Sequence, residues 1–206
     1  AALDPVTGAA TDCNPGLGVG AACLAFTDEV VFAAGVELMA LDRSTATELW
    51  HQPIRNISSL AVGEGIVYWG GLFWEIAGVP RRNIASLDAT TGEVTDWNPT
   101  ARGPFDTNQP VNALAINGGV VYAGGEFTEI GGESRAHIAA LDTSTGAATD
   151  WNPNPNGGVR SLSVADGVVY AGGSFSSIGG QARLNLAAVN ATSGQATSWN
   201  PNPNPD

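Results

Sequence analysis

Four residues with no counterpart elsewhere in the chain have the types expected of a binding surface. Trp69 and Trp74 are five positions apart, and Arg102 and Phe105 follow in one loop. Aromatic side chains and arginine are enriched in protein contact sites, because they bury much area and donate several hydrogen bonds. We predict an aromatic and polar binding patch at these residues. Lateral packing against a neighbouring part of the fold is the alternative.

The sequence contains few residues that are candidates for catalysis or metal binding. The two histidines, His51 and His137, have no Ser or Cys in a setting that indicates a nucleophilic triad. Two histidines and two cysteines without close spacing do not form a recognisable zinc motif. We therefore expect no catalytic residue, no metal and no cofactor, and we expect that the protein is not an enzyme.

Three further sets of residues each recur at one position of a repeated pattern. The aspartates supply one carboxylate per turn without Asp-x-Asp spacing, which favours turn capping over a calcium site. The arginines are interpreted as hydrogen-bond clamps within their own repeats rather than as ligand contacts. The tryptophans are interpreted as packing residues, with sugar stacking as the alternative. The sets are Asp42, Asp88 and Asp142; Arg81, Arg135 and Arg183; and Trp97, Trp151 and Trp199.

The pattern behind these sets has a period of about 50 residues, which is typical of a repeat fold. In one copy, apolar runs at 111–116, 120–123, 136–141 and 147–151 are separated by turn residues, among them Asn117-Gly118. No window shows a helical spacing of apolar residues. We predict an all-β protein made of four-stranded antiparallel blades of a β-propeller, with a β-solenoid as the alternative.

The landmarks divide the single repeat array into about four blades and an N-terminal half blade. The half blade covers 1–15, a degenerate blade covers 16–55, and fuller blades cover 56–110, 111–158 and 159–206. An isolated outer hairpin is marginally stable and exposes a strand edge, so the half blade needs a partner. That partner is a longer propeller, a ring closed by further sequence, or another copy of the chain.

Blades two to four resemble the bacterial delta-60 repeat, also described as a β-propeller repeat domain of unknown function. The resemblance rests on Val-Tyr-x-Gly-Gly-x-Phe-x-x-Ile-Gly-Gly-x-x-Arg and on the later Leu-Asp-x-x-Thr-Gly and Trp-Asn-Pro motifs. The first blade instead resembles a quinoprotein repeat through Ala40-Leu41-Asp42 and Trp50. The first resemblance implies a secreted or surface-attached bacterial protein. The second implies a tryptophan that docks between blades, without the quinone.

The charge and composition of the chain limit the classes of partner that it can bind. The formal net charge is −12, with eight Arg and no Lys, which opposes binding to nucleic acid and to anionic membrane surfaces. Apolar runs near 18 residues are absent from the sequence, so we expect no membrane span. Cys13 and Cys23 are the only cysteines, and we predict a disulfide between them, with two free thiols as the alternative.

From these observations we expect an extracellular or cell-surface module that binds protein partners or its own copies. Rigid display of divergent loops on the repeated turns is the expected mechanism. A carbohydrate-binding propeller and a fragment of a propeller enzyme are the alternatives.

Overall fold

The computed structural model describes residues 23–35 and 37–201, and in them all regular structure is β apart from one 3-10 turn at Pro104–Asp106. The predicted N-terminal half blade at 1–15 lies outside these residues, as does Cys13 of the predicted Cys13–Cys23 disulfide. We refer to the sheets in chain order as blades one to four.

Blade one is a four-stranded antiparallel meander, in the order β1-β2-β3-β4. Its strands are β1 (Cys23–Phe26), β2 (Val30–Ala34), β3 (Leu38–Asp42) and β4 (Glu48–Gln52). The blade that the sequence marks as degenerate therefore has a complete set of four strands. The missing insertion shortens only the connection between β2 and β3.

Blades two to four each have three long strands, and the predicted fourth strand is reduced to one antiparallel bridge. These bridges are Leu87 to Val94, Leu141 to Ala148 and Val189 to Ala196. After the bridges of blades two and three the chain leaves the sheet and docks on the next blade. Blade two contains β5 (Ile57–Gly63), β6 (Ile66–Gly71) and β9 (Ile84–Asp88); blade three contains β11 (Val111–Asn117), β12 (Val120–Gly125) and β15 (Ile138–Asp142); and blade four contains β16 (Val159–Ala165), β17 (Val168–Gly173) and β20 (Leu186–Asn190).

The insertion between the second and third long strands folds into a small two-stranded hairpin in each of these blades. In blade three this hairpin also pairs with β10 (Ala101–Arg102), which belongs to the exit loop of blade two. The exit loop is thus fixed by backbone hydrogen bonds to the following blade. The hairpins are β7 (Glu75–Ile76) with β8 (Val79–Pro80), β13 (Glu129–Ile130) with β14 (Glu133–Ser134), and β18 (Ser177–Ile178) with β19 (Gln181–Ala182).

The tight turn between the first two strands of blade three forms one residue later than predicted. Asn117 pairs with Val120, so the loop is Gly118-Gly119, with φ of 55° and 77°. Both positions require positive φ, and glycine adopts it without a Cβ clash. The predicted hairpin is present, and its turn is shifted because glycine meets the requirement better than asparagine.

The core lies between blades rather than inside a single sheet. Successive residues of a strand point to opposite faces, and blades two and three are covered on both. On β6, Tyr68 packs in the cluster shared with blade three and Trp69 in the cluster shared with blade one. Both side chains are buried, with 1% and 0% exposure. Trp69 is therefore a core residue and is not part of an exposed patch.

Candidate functional site

The repeated tryptophans join each blade to the next. The indole Nε1–H of Trp97 donates to the carbonyl oxygen of Asp142 at 2.9 Å, and that of Trp151 donates to Asn190 at 2.9 Å. Trp50 of blade one makes the corresponding bond to Ala89 at 3.0 Å. A buried indole needs an acceptor, so each ring fixes the position of the next blade.

The proline of the Trp-Asn-Pro motif adds a second inter-blade bond. The backbone N–H of Gly131 donates to the Pro99 carbonyl oxygen, and that of Gly179 donates to Pro153, both at 2.7 Å. These bonds tie the exit of one blade to the insertion hairpin of the next. The motif is therefore a blade connector at both of its ends.

Trp199 carries the same motif at the far edge of blade four. It packs edge-to-face on Tyr170, with ring centroids 5.6 Å apart, as Trp151 packs on Tyr122 at 5.2 Å. Its side chain is 43% exposed, whereas Trp97 and Trp151 are 6% and 5% exposed. No blade follows Trp199 within residues 37–201. We call the face formed by Tyr170 and Trp199 the terminal face; among residues 23–35 and 37–201 no turn receives its tryptophan.

The recurring aspartates cap turns. The Asp142 carboxylate accepts hydrogen bonds from the backbone N–H groups of Ser144 and Thr145 and from both hydroxyls. The Ser144 hydroxyl, followed by the Thr145 groups, lowers the pKa of Asp142 to about 2. Asp42 has the same partners in blade one and the same low pKa, and the pKa of Asp88 is lowered by its bonds to Thr91 and Thr90. These perturbed carboxylates are explained by turn geometry.

The recurring arginines bind backbone carbonyls of their own blades. Arg81 donates through Nη2 to Thr95, Arg135 to Thr149 and Arg183 to Thr197, at 2.6, 2.7 and 2.8 Å. In each case Nη1 donates to the residue immediately before the arginine. The arginine thereby holds the insertion hairpin against the segment that replaces the fourth strand.

A pocket of about 410 Å³ opens where the blade-two hairpin meets the blade-two exit loop. We call it the arginine pocket, because its charged lining comprises three arginines and a single aspartate. The guanidinium carbon of Arg82 lies 4.2 Å from the centroid of the Trp74 ring, a cation–π arrangement. The lining residues are Trp74, Pro80, Arg81, Arg82, Asn98, Thr100, Arg102 and Asp106.

The Asp106 side chain extends from the blade-two exit loop to the arginines of the pocket. Its Oδ1 accepts a charge-assisted hydrogen bond from Arg82 Nη1 and lies 3.5 Å from Arg102 Nη1. The backbone of Phe105 and Asp106 has φ of 57° and 61°, in the left-handed region. This local geometry leaves the Phe105 side chain fully exposed while it directs Asp106 toward the arginines.

The structure brings together two of the four residues predicted for a binding patch and places a third beside them. Trp74 and Arg102 line the arginine pocket, Phe105 projects next to it, and Trp69 lies in the core. Sequence reasoning missed Arg82 and included Asp106 only as a member of the loop that carries Arg102 and Phe105. The available signal was the absence of Arg82 from the other copies, where Ala136 and Leu184 occupy its position.

Other groups with possible chemistry are dispersed. Glu48 accepts a hydrogen bond from His51 at 2.7 Å and raises the pKa of this exposed histidine. Burial raises the pKa of the Cys23 thiol. Within the described part of the chain, no group of three or more His, Cys, Asp or Glu side chains is placed to hold a metal. The described residues also contain no helix with the length and apolar character needed to cross a membrane.

Successive small antiparallel sheets joined in this way define a propeller-type repeat protein, and several solved structures, a WD40 domain among them, are similar. The computationally designed Ika4 protein gives a TM-score of 0.58 at 16% identity, over 85% of this chain and 93% of that one. The designed Ika8 protein gives 0.55 at 17% identity, over 86% and 48%. The WD40 domain of Pan2 from Neurospora crassa gives 0.57 at 14% identity, over 86% and 50%. The chain spans about half the length of the last two, and these likenesses establish the fold.

The sequence also identifies the family. Residues 1–204 match the family described as the outer membrane protein assembly factor BamB, and the chain belongs to that family. The quinoprotein-like character predicted from blade one is confirmed, whereas the resemblance to the delta-60 repeat stays a prediction. No curated protein sequence matches the chain.

Proposed function

We propose that the protein is a non-catalytic, extracellular propeller module that binds proteins, including copies of itself. The observation that carries this proposal is the exposed terminal face. Trp199 on this face contacts its own tyrosine in the same way as Trp151 does. At Trp151 this arrangement joins one blade to the next. A surface that already has the shape and donor of an internal interface is suited to receive another blade.

The partner that we propose for this face is the opening segment of a second copy. Each docked tryptophan contacts a blade whose turn reads Asp or Asn, three intervening residues, and Gly, as in Asp142 to Gly146. The opening segment has the related sequence Leu3-Asp4-Pro5-Val6-Thr7-Gly8. This sequence match supports a head-to-tail contact, which closes into a ring or continues as a filament.

The extracellular location rests on the resemblance to the delta-60 repeat, which implies secreted or surface-attached proteins. The absence of enzymatic activity rests on the explanation of the perturbed aspartates by turn bonds. Two of the three tryptophans predicted to stack on sugars in the carbohydrate-binding alternative are not accessible. Trp97 and Trp151 are buried, and their indole N–H groups are hydrogen-bonded.

Sedimentation velocity of the purified full chain tests the proposal. We expect the average mass to rise above that of a monomer between about 1 and 100 µM, as for a modest protein interface. Because each copy carries a charge of −12, association should strengthen when salt is raised from about 10 to 150 mM. Trp199→Ala should return the chain to a monomer.

Trp74→Thr is the matched control, because it removes an exposed tryptophan that is not on the terminal face. Its mass distribution should equal that of the unmodified chain. A strict monomer at all concentrations would contradict self-association. Binding on a glycan array that survives Trp199→Ala would instead favour the carbohydrate alternative.

A further inference from the structure

We propose that the arginine pocket recognises a carboxylate of an acidic peptide segment in a protein partner, and that Asp106 occupies this position in the free chain. The inference rests on the proposed protein-binding function and names the chemistry of one contact. It concerns blade two, far along the chain from the terminal face of blade four.

The charge of the pocket is opposite to that of the protein. The chain has a formal charge of −12 and eight arginines without any lysine, yet three of these arginines line this one pocket. Arg81 is bonded to the carbonyls of Pro80 and Thr95, which leaves Arg82 and Arg102 to face the pocket. A positive site on an acidic surface selects an anionic group from solution.

Asp106 accepts from only part of the N–H donors of Arg82 and Arg102. A guanidinium has five N–H donors, and Arg82 uses one of them for the Asp106 carboxylate. The Arg102 to Asp106 distance of 3.5 Å exceeds the 2.7–2.9 Å typical of a charge-assisted bond. A carboxylate from outside would find donors on both arginines, in the planar geometry that arginine offers.

The loop that carries Asp106 is built in a way that permits exchange. Phe105 and Asp106 are consecutive residues with positive φ, a backbone region that residues with a Cβ rarely adopt. The loop is joined to the following blade through β10, and the bonds from Thr107 to the Pro104 carbonyl close a turn around Phe105 and Asp106. The Asp106 side chain is 60% exposed, so its carboxylate can rotate away from the arginines while this turn stays in place.

The surroundings favour a peptide over a sugar. One face of the Trp74 ring is covered by the Arg82 guanidinium and is closed to a stacked sugar. Phe105 and Trp74, which are 101% and 54% exposed, add apolar area beside the charged pocket. Tryptophan, arginine and exposed aromatic groups around one charged anchor are the composition of a protein contact centre.

The insertion hairpin of blade three shows which residues can replace Trp74 and Arg82 without changing the hairpin. Thr128 and Ala136 of blade three occupy the positions of Trp74 and Arg82, on a hairpin with the same fold. The variants Trp74→Thr and Arg82→Ala therefore install residues that this hairpin already accommodates. Arg160→Gln removes an exposed arginine elsewhere and serves as the charge control.

The test is a titration of the ¹⁵N-labelled full chain with the peptide acetyl-Phe-Glu-Phe-amide, followed through the Trp74 indole signal. We expect saturable binding with a dissociation constant on the order of 1 mM, and binding about tenfold weaker for the peptide with Gln in place of Glu. Arg82→Ala and Arg102→Gln should weaken binding at least about tenfold, whereas Arg160→Gln should leave it unchanged.

Asp106→Asn removes the resident carboxylate and keeps a residue that tolerates positive φ. It should tighten binding several-fold, and in the unmodified chain the Asp106 carboxyl ¹³C signal should move toward that of a solvated aspartate at saturation. An unchanged signal, or weaker binding by Asp106→Asn, would overturn displacement. Equal binding of the Glu and Gln peptides, or stronger binding of glucuronate, would overturn recognition of a peptide carboxylate.

These results are independent of self-association. A chain that assembles through Trp199 but ignores the peptide rejects the arginine pocket and keeps the proposed function. A chain that binds the peptide but stays monomeric rejects self-association and keeps the pocket.

Discussion

Trp151 and Trp199 are the same residue of the same motif, yet their environments differ. Each packs edge-to-face on the tyrosine of its own blade, at 77° and 88° between ring planes. Trp151 is then buried by blade four and bonded to Asn190, while Trp199 remains 43% exposed. The contact within the blade is thus common to both, and the burial comes from the neighbour. The stability of each blade therefore depends on the blade that follows it.

The largest expected effect is on the free energy of unfolding when the two tryptophans are removed. Trp151→Ala should cost about 3–5 kcal/mol, because it leaves a cavity between blades and an unpaired carbonyl. Trp199→Ala should cost about 1 kcal/mol, because the ring is already 43% exposed and loses mainly its contact with Tyr170. Urea denaturation followed by far-UV circular dichroism measures both. Equal losses would show that the next blade contributes nothing to the Trp151 site.

A second pair of variants sharpens the same comparison on the receiving side. Gly92 has φ of 72°, and a Cβ there would lie 2.7 Å from Trp50 of blade one. Gly78 has φ of 79° but open space around the position of its Cβ. Gly92→Ala should cost about 2–4 kcal/mol through backbone strain and overpacking, whereas Gly78→Ala should cost about 1 kcal/mol through strain alone.

Thermal unfolding of the two glycine variants provides the measurement. If they melt together, backbone strain alone decides the cost and the close contact with Trp50 has no energetic role. A rescue of Gly92→Ala by a smaller residue at Trp50 would support the steric explanation.

The smallest expected effect concerns the turn that receives each tryptophan. Asp142 has its pKa lowered to about 2 from an ordinary value of 3.8. A lowered folded-state pKa stabilises the fold above the unfolded value, and this contribution is lost as pH falls from about 4 to about 2. Blade four has Asn190 at the same position, with bonds from Thr192 and Ser193, and this side chain does not titrate.

Carboxyl ¹³C signals recorded across this pH range test the prediction. The Asp142 signal should titrate with a midpoint near pH 2, and amide shifts should change in the turn of blade three before those of blade four. A midpoint near 3.8 would mean that the hydroxyl and backbone bonds do not form in solution. Asp142→Asn should make the two turns respond alike.

The strands and turns of the repeated blades could be predicted from the sequence, because their turn residues and motifs recur at fixed spacing. The three long strands of blade three follow the predicted runs, and the predicted turn is displaced by one residue to Gly118-Gly119. The fourth strand was overestimated, because in blades two to four the arginine of the insertion hairpin binds a carbonyl of that segment, at Thr95, Thr149 and Thr197. Blade one lacks the insertion and keeps a full fourth strand. Such long-range competition leaves no mark in a local pattern.

The candidate site was readable only in part. Trp74, Arg102 and Phe105 were identified because they differ from the other copies, and the same reasoning misplaced Trp69. Its counterparts, Ala123 and Ala171, are buried, so this position belongs to the core in every full copy. Asp106 could not be paired with Arg82 from sequence, because the contact spans 24 residues and depends on the course of the exit loop.

Hydrogen exchange of the indole N–H groups most directly tests the claim that tryptophans connect the blades. In a dilute sample, Trp97 and Trp151 should exchange slowly, since they are buried and bonded, and Trp199 rapidly, since it is 43% exposed. Raising the protein concentration should slow Trp199 alone, as a second copy covers the terminal face. Rapid exchange of Trp151, or exchange of Trp199 as slow as that of Trp151 in the dilute sample, would contradict the account.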